Sequence, residues 1–127
     1  MNGKYLLDTN IIIALFAGDA AVQQRLREAG QVFISSIALG ELYYGAQKSM
    51  RVRDNVRRID EFALSAPILG CDHDTEYGRI KNRLRARGRP IPENDIWIAA
   101  QARQHRLVLV ARDDHFLEVD ELVLESW

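Results

Sequence analysis

Short apolar runs alternate with longer stretches of helical spacing along the chain. Tyr5, Leu6 and Leu7 are too few for a helix, and they stop at an acid, a hydroxyl and an amide, Asp8, Thr9 and Asn10, before Ile11, Ile12 and Ile13 resume. This pattern reads as a buried strand that ends at Asp8, followed by a helix from about Asn10 to Phe16 that gives out at Gly18. Asp19 is an N-cap for a helix running to Ala29, with Gly30 in the position that favours a left-handed turn. Val32, Phe33 and Ile34 read as a second strand. Ser35 and Ser36 then cap a helix whose apolar side holds Ile37, Leu42, Tyr44, Ala38 and Ala46. After a corner at Met50 to Arg53, Val52, Val56, Ile59 and Ala63 keep helical spacing up to Pro67. Ile68 and Leu69 form a short strand. Either Asp72 or Asp74 caps the next helix, which carries Tyr77, Ile80 and Leu84 inward and stops at Gly88. Pro90 to Pro92 is an extended connector into a helix from about Glu93 to Gln104. Leu107 to Val110 is the most strand-like run in the chain, and Leu122 to Leu124 is a shorter one.

Strands alternating with helices predict an α/β fold, a parallel sheet of four to five strands flanked by helices. In such a sheet each crossover helix is expected to run against the strands, so first helical turns and strand C-termini share one rim, where ligands bind in open α/β sheets. The 127 residues suit one domain, 1–127, with a single core and no linker. The sequence is 47% hydrophobic and 28% charged, which is globular composition. No run approaches a membrane span, and the N-terminus lacks a signal-peptide pattern, so an intracellular, cytoplasmic protein is expected. The lone cysteine, Cys71, reads as a packed thiol. His73 and His105 have no partner at metal or triad spacing, and there is no Cys/His cluster for zinc.

The net charge of −1 conceals a segregation. Residues 79–89 hold Arg79, Lys81, Arg83, Arg85, Arg87 and Arg89 without an acid. Residues 48–58 hold Lys48, Arg51, Arg53, Arg57 and Arg58 against Asp54, while residues 113–125 hold six acids and no base. Separated charge of this kind can make a local field that attracts phosphates, although a solvated helix face has the same composition.

Four acids are expected on the common rim. Asp8 ends the first strand, and Asp113 follows the strand Leu107 to Val110. Asp95 lies in a first helical turn with Ile98, Ala99 and Ala102 at i+3, i+4 and i+7, which puts it on the inward face. Glu41 sits similarly between Ile37 and Gly45. A carboxylate on a buried face is costly unless something positive meets it, and four together repel unless a cation keeps them ionised. An all-oxygen donor set selects Mg²⁺, with Mn²⁺ as a substitute. Each acid also has a plainer reading, as a helix cap, a macrodipole partner or a turn residue. Thr9 and Asn10 are close enough in sequence to orient Asp8. Asp114 competes with Asp113, His115 reads as surface and Phe116 as core.

Taken together, Leu7-Asp8-Thr9-Asn10, then Ile34-Ser35-Ser36 with Glu41, Leu42, Tyr44, Gly45 and Ala46, then Gly88-Arg89-Pro90-Ile91 with Asp95, Ile98, Ala99 and Ala100, and finally Leu109-Val110 with Arg112, Asp113 and Phe116, resemble PIN-domain proteins. More narrowly they resemble the VapC toxins of toxin–antitoxin pairs. The resemblance spans the chain and implies a three-layer α/β/α fold, a Mg²⁺-dependent endoribonuclease, a homodimer and a small antitoxin that blocks the site. It assigns Asp8, Glu41, Asp95 and Asp113 to catalysis, with Asp8 and Asp95 holding the metal; tRNA or another structured RNA is the expected substrate. Two positions depart from the pattern: Ala111 stands where Thr or Ser is common, and Pro92 where Gly is common. Arg79, Arg83, Arg85, Arg87 and Arg89 are the expected phosphate contacts, and Tyr43, Tyr44 and Trp97 are aromatics that could stack bases if they are not core. The alternative is a non-catalytic RNA- or protein-binding module. A phosphatase or receiver domain lacks its second Asp, since Asn10 stands there, and a dinucleotide fold lacks its glycine-rich turn.

Overall fold

The structure is a computed structural model that describes residues 3–72 and 74–127; His73 lies outside the described residues. In chain order it contains β1 (Lys4–Leu7), α1 (Thr9–Phe16), α2 (Ala20–Glu28), β2 (Gln31–Ser35), α3 (Ser36–Gln47), α4 (Val52–Ala63), β3 (Ile68–Leu69), α5 (Thr75–Ala86), α6 (Glu93–Gln104), β4 (Val108–Val110), a 3₁₀ turn (Asp114–Glu118) and β5 (Leu124–Glu125). The strands form one sheet in the order β3-β2-β1-β4-β5, and every neighbouring pair is parallel. No helix among the described residues is long and apolar enough to cross a membrane.

Side-chain alternation along the central strand divides the interior into two layers. Tyr5 and Leu7 face a core shared with Ile11, Ile12, Val22, Leu42 and Ile59 on α1 to α4, whereas Leu6 faces a second core with Ile80 and Leu84 of α5, Ile98 and Ala99 of α6, and Phe116. This is the parallel sheet flanked by helices expected from the pattern, in the three-layer α/β/α arrangement that the resemblance implies. β1 is sealed on both faces, so its apolar run is continuous rather than alternating. Full burial of Leu6 and Leu7 contributes about 1.5–3 kcal/mol each. The strand therefore holds its own C-terminus firmly, and with it the position of Asp8.

The caps locate the helices. Asp19 accepts from Val22 N at 3.1 Å, and Ser35 Oγ accepts from Ile37 N at 3.1 Å. Between the two sequence candidates for α5, Asp74 is the cap, accepting from Tyr77 N at 3.2 Å.

The structure departs from the sequence reading in four places. The helix α5 runs along the strands, not against them: Glu76 meets Arg103, Tyr77 stacks on Trp97 and Lys81 meets Glu93, so α5 is antiparallel to α6. The cause lies in β3, which ends after two residues. The Gln101 amide then ties Leu69 O and Gly70 O to α6, and Gln104 reaches Asp72 O one turn further on, so the chain descends beside α6 before α5 climbs back. Gly30 does not take a left-handed conformation; the positive φ values fall at Gly18, Gly88, Arg106 and Glu121. At Arg106 (φ 56°) the N–H of Leu107 bonds Ala102 O at 2.8 Å and that of Arg106 bonds Arg103 O, the 6→1 and 5→2 closure that elsewhere in this chain uses Gly18 and Gly88. The last strand is Leu124–Glu125, two residues later than Leu122 to Leu124 suggests. Finally, Tyr44 is not on the packed side of α3: it is 65% exposed.

Candidate active site

Asp8 directly succeeds the sealed strand, with its N–H bonded to Val110 O of β4 at 2.9 Å. It occupies the N-cap position of α1, yet its side chain makes no capping hydrogen bond. The carboxylate is left for the cleft beyond the strand ends, of about 400 Å³, lined by Asp8, Thr9, Asn10, Glu41, Pro92, Asn94, Asp95, Asp113 and His115, and by Glu93, whose carboxylate is paired with Lys81. All four acids expected on the rim share this cleft, and Asp114 is not part of its lining. Asp113 has both of its readings at once: it accepts from His115 N at 2.9 Å as the cap of the 3₁₀ turn while its carboxylate faces the cleft.

The electrostatics are those of negative charges with too little to oppose them. Asp8 is 3% exposed, and burial first, with Asp95, Glu41 and Asp113 adding repulsion, pushes its pKa up to about 7, only partly offset by the Thr9 N–H. Asp95, in the first turn of α6, is also raised, chiefly by burial, against the lowering effect of a hydrogen bond with His115. Thr9 Oγ1 donates to Glu41 Oε1 at 2.6 Å, so Thr9 orients Glu41 and not Asp8, as its place in the sequence suggests; Asn10 lines the cleft. Pro92 occupies the N-cap of α6 without obstructing it, and Ala111 is buried beneath the rim.

His115 is the residue that sequence reasoning misses. Its ring is half exposed, but Nδ1 stands 3.1 Å from Asp95 Oδ2 and 3.2 Å from Asp113 Oδ1. The three side chains offer ligand atoms within 4.8 Å of one another. No periodic signal in the sequence marks it: it reaches the two carboxylates because the 3₁₀ turn capped by Asp113 carries its ring back over them. His105, by contrast, caps the far end of α6.

The expected RNA contacts are placed differently. None of the arginines of residues 79–89 lines the acidic cleft. Arg79 pairs with Glu76 at 3.1 Å, Arg83 and Arg87 with Asp120 at 3.1 and 3.2 Å, and Arg89 with Glu118 at 3.9 Å; Arg85 has no ion-pair partner among the described residues. The basic helix and the acidic tail, far apart in sequence, largely neutralise one another in space. Of the three aromatics, Tyr43 donates to Asp60 and packs on the core, Trp97 stacks on Tyr77 at 3.8 Å, and Tyr44 alone stands free.

A buried strand terminus that presents one acid to three others, on a five-stranded parallel sheet, has a counterpart among known proteins. A profile of the PIN domain matches residues 5–122. The chain belongs to the PIN domain family. Within it the relatives are VapC proteins: Ribonuclease VapC2 of Haemophilus influenzae is 40% identical over 98% of both chains, and the tRNA(fMet)-specific endonuclease VapC of Shigella flexneri is 36% identical over the same shares. In three dimensions this PIN domain superposes on the DNA-bound VapBC of Salmonella typhimurium with a TM-score of 0.91, at 29% identity and 98% coverage of each chain.

Proposed function

We propose that this PIN domain is a Mg²⁺-dependent endoribonuclease, the toxin of a VapBC-type toxin–antitoxin pair. The observation that carries the proposal is the unbalanced cleft: the buried Asp8 shares it with three further carboxylates that raise its pKa by repulsion, a set of hard oxygens that fits Mg²⁺ or Mn²⁺ and whose mutual repulsion such a cation relieves. Asp8 and Asp95 would hold the cation, Asp113 and Glu41 complete the negative wall, and His115 offers one nitrogen beside Asp95. When bound, a divalent cation supplies an activated water and neutralises charge on the phosphoryl oxygens.

The chain's own residues do the remaining work. The sealed β1 and its bond to Val110 O fix Asp8, the Thr9 hydroxyl fixes the rotamer of Glu41, and His115 fixes Asp95 against Asp113. Such supports around ligating carboxylates are worth about 10- to 100-fold in affinity or activity. Attack by water is the proposed route, leaving a 5′-phosphate and a 3′-hydroxyl; attack by the RNA's own 2′-hydroxyl would leave a cyclic phosphate instead. Arg85 and Arg89, the least tightly paired of the basic group, are the proposed phosphate contacts beyond the cleft. Since the relatives include a tRNA(fMet)-specific endonuclease and structures of VapBC complexes, tRNA is the proposed substrate class, and a small antitoxin and a second copy of the chain are the proposed partners.

The test is incubation of purified protein with total RNA in Mg²⁺, Mn²⁺ or EDTA beside Asp95→Asn. Discrete 5′-phosphorylated fragments that need metal, and that fall by about two to three orders of magnitude in the mutant, are expected. Equal cleavage by the two proteins would sink the site, and a folded, metal-binding protein that cuts no RNA would turn the reading to a binding module.

A further inference from the structure

A second depression opens beside the acidic cleft and shares Thr9, Asn10, Glu41 and Asn94 with it. It is a groove of about 740 Å³ whose far side is the outer face of α3: Ser36, Ile37, Gly40, Tyr44, Gly45 and Lys48. Glu41, Tyr44 and Lys48 succeed one another at i, i+3 and i+7, so one stripe of the helix leads from the carboxylates to an aromatic ring and then to a cation, over about 10 Å. The ring is 65% exposed, an uncommon state for a tyrosine, and Lys48 Nζ stands 4.4 Å from its centroid. Lys48 has no carboxylate partner among the described residues. Two glycines, Gly40 and Gly45, lie on the same face. Each weakens the helix by about 0.5–1 kcal/mol relative to alanine, although a Cβ at either position would meet nothing within 4 Å. Packing within the chain does not call for them, and they leave the backbone of that face bare.

We propose that this groove is a nucleobase subsite: Tyr44 stacks a base next to the scissile phosphate, Lys48 meets the adjoining backbone phosphate, and the bare backbone at Gly40 and Gly45 admits the sugar. The proposal rests on the ribonuclease reading of the neighbouring cleft and extends it to substrate positioning. Charge and chemistry select single-stranded RNA as the occupant. An aromatic face beside an unpaired cation, edged by the polar side chains Asn10, Ser36 and Asn94, is a stacking platform with hydrogen-bonding groups at its margin. The groove on the other side of Glu41 also holds an aromatic and a cation, Phe16 and Arg58, but there the ring packs edge-on against Phe62 and lies under the Arg58 guanidinium, which is itself bonded to Phe16 O, so no open aromatic face is left for a base.

The test separates binding from cutting. Short single-stranded RNAs carrying 2-aminopurine at successive positions are titrated in EDTA, where no metal-dependent cleavage runs, with wild type, Tyr44→Ala, Tyr44→Phe, Lys48→Ala and, as a packing control, Tyr43→Phe. Stacking on Tyr44 predicts quenching of the probe by wild type and Tyr44→Phe and its loss in Tyr44→Ala, with affinity down roughly tenfold or more. Lys48→Ala should weaken binding and reduce its salt slope by about one. Unchanged quenching and affinity in a folded Tyr44→Ala protein would overturn the proposal and leave the groove to a protein segment. Cleavage of total RNA in Mg²⁺ is scored separately. If wild type and Tyr44→Ala bind and cut alike, the subsite falls and the nuclease stands; if neither cuts but the quenching depends on Tyr44, the nuclease reading falls and Tyr44 is left as a base-stacking contact of a protein that binds RNA without cutting it.

Discussion

Two buried polar groups on neighbouring elements of this molecule have opposite accounts. Gln101, 1% exposed in the middle of α6, accepts from Ser35 Oγ at 2.5 Å and donates to Leu69 O and Gly70 O at 3.0 Å each. Its amide is satisfied, and in being so it closes the end of β2, ends β3 and sends the chain down the side of α6. Asp8, equally buried, has a single local donor, the Thr9 N–H, and three like charges around it. A neutral buried group with matched partners is part of the scaffold, whereas a charged one without them is costly to the fold and marks a candidate functional site.

The largest expected effect falls on Asp8. With a folded-state pKa of about 7 against 3.8, the native carboxyl keeps a proton between about pH 4 and 7 that the unfolded chain has released. Stability in EDTA therefore falls as pH rises through that window and is flat above it, a loss of up to about 4 kcal/mol from this group. Asp8→Asn should remove the loss: in EDTA it should match wild type near pH 4 and exceed it by up to that amount at pH 8. Denaturant melts at both pH values check this, and a wild-type-minus-mutant difference that does not change with pH would break the contrast. Gln101→Leu should move the other way by a somewhat smaller amount. It strands Leu69 O, Gly70 O and the Ser35 hydroxyl, at roughly 2–4 kcal/mol, at every pH. Below its melting temperature its RNA cleavage should stay near wild type; a cleavage loss larger than the unfolded fraction would show that Gln101 also serves the site.

The same contrast explains what the sequence can disclose. Asp8, Glu41 and Asp95 are legible because each interrupts an apolar pattern at a point where strand ends and helix starts converge, and the spacing of Ile98, Ala99 and Ala102 puts Asp95 inward. Asp113 is told from Asp114 only by the 3₁₀ turn, which decides which carboxylate faces the cleft. His115 leaves no periodic trace, since one histidine beside two acids in a loop has no pattern to break. The direction of α5 is beyond local reasoning: it results from the Gln101 amide truncating β3, a contact across more than thirty residues. Tyr44 escapes the sequence reading because helical spacing alone places it with Ile37, whereas α3 leaves that face open. The charge segregation is real along the chain, but folding sets Asp120 against Arg83 and Arg87 and cancels much of it.

Whether the four carboxylates form a site for a divalent cation is asked most directly by titrating Mn²⁺ into the metal-free protein at pH 8, with calorimetry and melting as the readouts. Wild type should bind and melt higher in Mn²⁺, while Asp8→Asn and Asp95→Asn, folded in EDTA, should bind at least about tenfold more weakly and gain little. A wild-type protein that neither binds Mn²⁺ nor gains stability from it, or an Asp95→Asn protein that binds it equally well, would contradict the metal-site reading.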